Sequence, residues 1–408
     1  MARAVIIDAV RSPIGKFLGS LSELTAPGIA TQVIKGLLVR NRIDLSLFQE
    51  LNAGIVLSAG VGQNPAKQVV VGSGLPSNVA TANINMVCAS GLRAISFSAA
   101  EIESGNADFI IAGGMESMSN APYILKGIRK FNKLGNIKLR DAAEKARAGG
   151  SDIFSYDLED EMVYDGLWDC YNDLHMGALA EKIGSKYSIS RREQDEFALQ
   201  SHLRAMGAID KGKFKNEIVP IKTPSGYFET DEGVRRDTSM EKLATLKPAF
   251  SANGCVTAGN SSQLSDGASF VILASESKAL ELALKPLGSI EAYSNSGIDP
   301  AWYGLAPTAA IKAVLQRGHH SLEDIGLIEL NEAFCVQTLG VVKELGIDKE
   351  RMNVNGGAIA LGHPIGASGA RILTTLLHAM TDRKEKLGIA ALCHGGGGAA
   401  AMLVESWR

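Results

Sequence analysis

The chain carries a copy of part of itself. C-A-S-G-L-R-A-I, from Cys88, aligns with G-A-S-G-A-R-I-L, from Gly366, and I-I-A-G-G-M-E-S, from Ile110, answers A-L-C-H-G-G-G-G, from Ala391. The first segment of each pair reads as a helix opening after a loop that follows an apolar strand, so the repeating unit is a βαβ half. Duplicated halves pack about a pseudo-twofold axis and bring equivalent loops together. The repeat therefore predicts that Cys88, the loop 362–366 and Cys393 converge on one site.

Around the repeat the hydrophobic pattern alternates between strand and helix. Residues 3–9, 54–57, 79–84 and 108–112 read as strands. Ile29, Val33, Ile34, Leu37 and Leu38 recur at helical spacing, residues 66–71 belong to another helix, and a helix is expected over 88–103. Such alternation indicates α/β layers with a largely buried sheet. From Gly113 to about Lys247 the chain turns polar and loop-rich, with one clear helix that opens at a capping box, Ser190 with Glu193, and runs to about Lys211. Charge is sorted within this stretch: 126–147 is strongly basic, whereas 151–173 holds acidic residues and no lysine or arginine. The two halves are expected to pair with each other, or to form a basic rim for an anionic ligand or an oligomer contact. After Lys247 the α/β order resumes, with strands at 268–274, near Ile290 and at 325–330, and helices at 308–317 and after Asn331.

At 408 residues the chain exceeds one ordinary core, so two or three domains are expected. A net charge of −3 argues against nucleic acid as the main partner. No apolar run approaches ~18 residues, so no membrane-spanning segment is expected. The N-terminal M-A-R-A-V-I-I-D-A-V lacks a signal-peptide h-region and reads as the start of a mature cytoplasmic chain. Five cysteines, odd in number and without a C-x-x-C pair, suggest neither a metal site nor a disulfide framework.

One cysteine has special surroundings. Cys88, in N-M-V-C-A-S-G-L-R-A, stands at a helix mouth, where unpaired N–H groups and the dipole favour thiolate and lower a pKa of ~8.5 toward neutrality. The small residues Ala89, Ser90 and Gly91 let a bulky ligand reach the sulfur. A nucleophilic thiol needs a base, and His363, braced by glycines and proline in A-L-G-H-P-I-G-A-S-G, is the best candidate. His175 also sits in a tight context, whereas His202, His319, His320 and His378 read as surface residues. Cys393 is followed by a glycine row whose N–H groups suit a developing oxyanion. H-G-G-G also resembles an α/β-hydrolase oxyanion loop, but no G-x-S-x-G elbow is present. Nor is there a Walker loop, H-E-x-x-H, or a dinucleotide fingerprint after the first strand. Two cysteines, a histidine and glycine-rich loops point to acyl transfer through a thioester.

These residues resemble the thiolase family. Its motifs stand here as N-M-V-C-A-S-G-L around Cys88, G-G-M-E-S-M-S at 113–119, N-E-A-F at 331–334, G-H-P-I-G-A-S-G-A-R at 362–371, and Cys393 in its glycine run. The resemblance extends from about Arg3 to Ser406 and weakens between Pro122 and Tyr171. It implies a duplicated βαβαβ fold with a five-layered αβαβα core and an inserted loop domain. The implied division is 1–119 with 264–286 for the first half, 120–263 for the loop domain, and 287–408 for the second half. The implied activity is acetyl-CoA C-acetyltransferase, a Claisen condensation of two acetyl-CoA to acetoacetyl-CoA and CoA, and its reversal, through an acyl-cysteine ping-pong intermediate. A 3-ketoacyl-CoA thiolase of longer chain length is the alternative.

By the same resemblance Cys88 takes the acyl group, His363 activates it, and Cys393 moves the α-proton. Asn331 holds a water that forms one oxyanion hole with His363, and the N–H groups of Cys88 and Gly395 form the other. For coenzyme A the family's pattern selects Ser262 in T-A-G-N-S-S-Q, with Ala258 nearby, and Arg235 in D-E-G-V-R-R. His175 and Met176 match the H-M-G of short-chain relatives, and Tyr303, Ala333 and Phe334 fall at the acyl pocket. Acyl-CoA and CoA come and go as substrates; no resident cofactor and no metal is expected, and the assembly is a homodimer at least, with a homotetramer as the family habit. Three positions depart from the pattern: Tyr303 replaces a frequent methionine, His394 replaces an aliphatic residue beside Cys393, and the 122–171 segment is longer than usual.

Overall fold

The computed structural model describes residues 3–407; positions 1–2 and 408 of the expected first and third segments lie outside it. The first half runs β1 (Ala4–Arg11), α1 (Ala26–Asn41), β2 (Glu50–Gly54), α2 (Pro65–Ser73), β3 (Ala80–Ile84), α3 (Ser90–Glu103) and β4 (Phe109–Ser117). A long excursion follows, carrying α4 (Leu139–Ala148), α5 (Met176–Tyr187) and α6 (Arg191–Asp210). The chain then returns through β5 (Ser265–Ser275), β6 (Gly288–Gly297), α7 (Ala306–Gly318), β7 (Leu327–Leu330), α8 (Cys335–Leu345), α9 (Ser368–Arg383), β8 (Leu387–His394) and β9 (Gly398–Ser406).

Among the described residues these nine strands lie in one sheet in the order β7-β8-β9-β6-β1-β5-β4-β2-β3, and a tenth, Gly15–Lys16, pairs with the start of β5. The sheet's two wings repeat each other. Going outward, the first wing reads β1-β5-β4-β2 and the second β6-β9-β8-β7, each with two antiparallel pairings and then a parallel one. They join where β1 meets β6, at Val5 opposite Ser289 and Ile6 opposite Gly288. This is the duplication read from the sequence, with β8 standing where β4 stands.

Both faces of β1, β4 and β5 are buried along their whole length, which is why they read as apolar runs, whereas the edge strand β3 is largely exposed. Phe109 and Ile111 of β4 face an outer core with α1 and α2, while Ile110 and Ala112 face a central core. In the second wing Ile389 and Ala391 of β8 join α7 in another outer core, and Ala390 and Leu392 join the central one. The central core holds α3 and α9 side by side, so the layers are helix, sheet, helix, sheet, helix.

The repeated S-G pair sits where these two central helices touch. A Cβ on Gly369 would lie 2.5 Å from Leu92 N, and one on Gly91 would lie 2.9 Å from Ala370 N. The carbonyl of Gly366 comes as near to the first wing: a Cβ on Gly114 would meet it at 2.1 Å. Only Cα atoms that carry no Cβ allow this approach.

Several expectations change. The helix expected from Cys88 begins at Ser90, and Cys88 lies in the preceding turn. Residues 55–57, read as strand, leave the sheet because the N–H groups of Val56 and Leu57 bind a buried carboxylate, Glu116. The excursion holds more helix than the one expected, since α4 and α5 accompany the capped α6. Its basic and acidic stretches meet in one ion pair, Lys126 with Glu159, beside an antiparallel pairing of Tyr123–Leu125 with Leu158–Asp160. No helix among the described residues is long and apolar enough to cross a membrane.

Two glycine substitutions with opposite outcomes test this packing. Gly114→Ala forces a Cβ onto the Gly366 carbonyl, and overpacking of this kind costs ~1–3 kcal/mol, so the variant should melt earlier. Gly207 lies inside α6, where an added Cβ would meet nothing within 4 Å, so Gly207→Ala should gain ~0.5–1 kcal/mol from helix propensity. Thermal denaturation of both variants checks the pair.

Candidate active site

Cys88 is presented by a strained turn. Val87, a β-branched residue, holds φ 47°, a conformation that costs ~1–3 kcal/mol and persists only when its surroundings impose it. Ser90 imposes it: its Oγ accepts from Met86 N at 2.8 Å and donates to the Val87 carbonyl at 2.6 Å. No side chain caps α3, whose N-cap is Ala89. The backbone N–H groups of Gly395 and of Cys88 itself point at the sulfur.

His363 comes from the equivalent turn before α9, and Ser368, the counterpart of Ser90, braces it. Ser368 Oγ lies 2.6 Å from His363 Nδ1 and 2.8 Å from the Pro364 carbonyl. A hydroxyl has one proton, and a carbonyl only accepts, so Ser368 gives its proton to Pro364 and accepts from Nδ1–H. The tautomer follows: Nε2 bears the lone pair. It is buried and has no protein partner. Cys393, at the end of β8, is 1% exposed, and the chain then turns sharply through Gly396 and Gly397 at φ near +80°. A Cβ on Gly397 would strike the Ile298 carbonyl at 2.4 Å.

The convergence predicted by the repeat is present. Cys88, His363, Cys393 and Gly395 all line one cavity of about 530 Å³. Its longer walls bring in Ser262, Arg235, His175, Met176, Ala258, Tyr303, Ala333 and Phe334, and its mouth is lined by Lys16 and Phe17. His175 caps α5 by accepting from Gly177 N at 3.1 Å and stacks on Phe250 with ring centroids 4.7 Å apart. Tyr303, buried, donates its hydroxyl to the Met176 carbonyl at 3.1 Å. Asn331 does not border the cavity. It is 1% exposed behind it, its Oδ1 3.4 Å from Arg371 Nη2 and its Nδ2 without a protein partner. His394 turns aside, with Nδ1 at 2.6 Å from the Gly395 carbonyl. Among the described residues no group of three His, Cys, Asp or Glu side chains could hold a metal.

Electrostatics in this cavity contradict one expectation. The Cys88 pKa is not lowered; burial pushes it up to about 12, despite the opposing N–H groups of Gly395 and Cys88. Magnitudes explain why. A helix end contributes ~0.3–1 kcal/mol, whereas burial shifts a thiol by up to ~3–5 units at ~1.4 kcal/mol each. Cys393 is raised further, by burial and by the neighbouring Cys88. His363 is pushed down to about 3, by burial first and then by the Arg371 cation. The resting site holds a neutral thiol and a neutral imidazole on the walls of one cavity.

Sequence reasoning missed two supports and misread one. Glu116, fully buried in the G-G-M-E-S-M-S segment, accepts from Val56, Leu57 and Gly366 N–H at 3.1, 3.2 and 2.9 Å, tying the histidine loop to the first wing. Burial raises its pKa to about 8. Glu332 accepts from Ser201, Asn353 and Ile359, anchoring α6 to the same loop. A charged residue inside an apolar segment was the available signal for both. His202, read as a surface residue, is 3% exposed, and its Nδ1 accepts from Arg235 N at 3.2 Å. The substrate-side loop covers it, and burial with the Arg235 charge draws its pKa to about 4.

A raised thiol pKa has a kinetic signature. Thiolate, the reacting form, grows about tenfold per pH unit below the pKa. Alkylation of Cys88 by iodoacetamide should therefore climb from pH 6 through pH 9 without a plateau, followed by mass spectrometry of the 85–93 peptide. A plateau by pH 7.5 would indicate a standing thiolate–imidazolium pair.

Comparison with known proteins agrees with this geometry over the whole chain. Residues 4–277 match the family model of the thiolase N-terminal domain, and residues 284–406 that of the thiolase C-terminal domain. An acetyl-CoA acetyltransferase of Pseudomonas aeruginosa is 46% identical over 407 residues, covering 98% of this chain and 99% of that one. One from Cupriavidus necator is 45% identical, covering 99% and 100%. The crystal structure of the Bacillus anthracis acetyl-CoA acetyltransferase matches with a TM-score of 0.91 at 40% identity, covering 100% of this chain and 99% of that one. The duplicated wings, the converging cysteines and histidine, and these matches agree: the chain is an enzyme of the thiolase family.

Proposed function

We propose that the enzyme is an acetyl-CoA C-acetyltransferase, joining two acetyl-CoA into acetoacetyl-CoA and CoA and running the reverse thiolysis. The observation that carries this reading is the shared cavity, where His363 Nε2 offers a lone pair beside two thiols. In the first half-reaction Cys88 Sγ attacks the thioester carbonyl while its proton passes to His363 Nε2. The tetrahedral intermediate collapses, CoA thiolate leaves with that proton, and acetyl-Cys88 remains. In the second, Cys393 passes its own proton to His363 Nε2 and, as thiolate, takes the α-proton of another acetyl-CoA, and the enolate carbon attacks the acetyl-Cys88 carbonyl. The oxyanion faces the N–H groups of Cys88 and Gly395, and the released Cys88 sulfur takes the proton back from His363 Nε2, which restores both thiols. Asn331 supports the other oxyanion site through a water, next to His363 Nε2–H while that nitrogen carries the proton.

Tyr303 supports a short acyl chain. Its hydroxyl bond to the Met176 carbonyl locks the ring against the cavity wall near both thiols. Arg235 and Ser262, toward the open side, suit the nucleotide and pantetheine of coenzyme A. CoA thioesters are substrates, with no resident cofactor or metal; the protein works in the cytoplasm as a dimer or tetramer, and 120–263 acts as a loop domain between halves 1–119 plus 264–286 and 287–408.

Incubation with acetyl-CoA should add one acetyl group to Cys88 and to no other cysteine. Cys393→Ala should keep that acetylation yet lose condensation by more than ~10²-fold, the size of a lost acid–base group. Acetoacetyl-CoA should be cleaved faster than 3-ketooctanoyl-CoA, and Tyr303→Ala should narrow the gap. Acetyl transfer to another residue would refute the mechanism, and faster cleavage of the longer chain would make the enzyme a broad 3-ketoacyl-CoA thiolase.

A further inference from the structure

The last residue of G-H-P-I-G-A-S-G-A-R has no part in the mechanism above. Arg371 is the repeat counterpart of Arg93, yet the two have different fates. Arg93 lies over the Phe97 ring at 3.7 Å, whereas Arg371 is 2% exposed on α9. Burying a guanidinium is costly unless it is paired, and here the pairing is thin. Nη1 stands 3.5 Å from Glu329 Oε2, Nη2 stands 3.4 Å from Asn331 Oδ1, and neither Nε nor Nη1 makes a hydrogen bond to protein. Such an arrangement does little for stability.

It does constrain the site. A guanidinium only donates, so the Asn331 amide must turn its oxygen toward Arg371 and its NH₂ away. Asn331 Nδ2 and His363 Nε2 are then left as two buried groups without protein partners, one a donor and one an acceptor. We propose that Arg371 is a positioning residue for acyl transfer: it sets the direction of the Asn331 amide and keeps a positive charge behind the His363 imidazole. This rests on the roles of Cys88 and His363 given above.

The charge has a direction of effect. After burial, Arg371 is what disfavours the imidazolium of His363. The other ionisable groups around His363 are the Cys88 and Cys393 thiols, Glu116 through Gly366, and His175, Arg235 and Lys16 along the cavity. Around Arg371 stand Glu329, Glu332, Glu217 and Arg11. With Arg371 in place the imidazolium exists only in passing, so it returns its proton readily to the leaving thiolate. Without that charge the imidazolium costs less, and the minor fraction of Cys88 present as thiolate opposite His363 imidazolium grows. The thiol is then more reactive toward alkylation while the enzyme turns over more slowly.

The test uses the full chain, with Arg371→Gln combined with Glu329→Gln so that no buried charge is orphaned, and Arg371→Lys alongside. Iodoacetamide alkylation of Cys88 at pH 7, acetoacetyl-CoA thiolysis, and acetylation by acetyl-CoA are measured on each. The double variant should alkylate at least ~5-fold faster while kcat falls at least ~10-fold and KM stays within ~2-fold. Arg371→Lys keeps the charge but not the fork, so its alkylation should match the native rate while kcat falls. Alkylation that slows or stays level in the double variant overturns the proposal and leaves Arg371 a packing residue. Should the double variant not fold, Arg371→Lys decides: faster alkylation there overturns the proposal equally. Failure of the native enzyme to acetylate Cys88 would instead refute the underlying mechanism.

Discussion

The carbonyl of Gly366 occupies space that three side chains would otherwise fill. Cβ atoms on Gly54, Gly91 and Gly114 would lie 2.8, 3.0 and 2.1 Å from it. Through that one contact the turn before α9 rests on β2, on the first turn of α3 and on β4. Helices α3 and α9 therefore start side by side in the central layer, and the residues just before them, Cys88 and His363, reach the same cavity. Larger side chains would pack a core better, but they would push the two turns apart. Glu116 reinforces the contact by holding Gly366 N and the 56–57 loop with one carboxylate.

The same closeness buries the site, and burial governs its chemistry: Cys393 and His363 are 1% and 6% exposed, and Cys88 is half-buried. Burial outweighs the helix end at Cys88 and outweighs any proton affinity at His363, so both rest uncharged. An uncharged pair avoids the desolvation of a standing ion pair, and charge develops only as the thioester reacts, where fixed N–H groups meet it. Acyl transfer is thereby coupled to substrate, while alkylation of the free thiol still follows pH. The strain held at Val87 belongs to the same design, since a relaxed residue there would carry the sulfur away from the Gly395 N–H.

Much of this was legible in the sequence because the repeat encodes it. Matching S-G pairs at 90–91 and 368–369 announced equivalent helix starts, and the convergence of Cys88, 362–366 and Cys393 followed from symmetry alone. The resemblance to thiolases supplied the cavity walls, and all but Asn331 of the expected site residues line the cavity. What stayed hidden depends on three-dimensional burial. Local context shows a helix mouth near Cys88 but not how much protein surrounds it, so the direction of its pKa was misjudged. His202 looked like a helix-surface histidine because the loop that covers it lies more than 30 residues away and donates through Arg235 N. Arg371 and Glu116 sit inside recognisable motifs, yet their partners come from β7 and from the 55–57 loop, which no spacing along the chain reveals.

The central claim is that thiol and imidazole rest neutral in this cavity, with the histidine proton on Nδ1. Nitrogen-15 NMR of imidazole-labelled enzyme, with His363 assigned by comparison with His363→Asn, tests it directly. The account predicts a protonated Nδ1 and a bare Nε2 whose shifts do not titrate between pH 5 and pH 8, since the pKa lies at about 3. An imidazole protonated on both nitrogens at pH 7, or one titrating near its ordinary value of ~6.5, would contradict it.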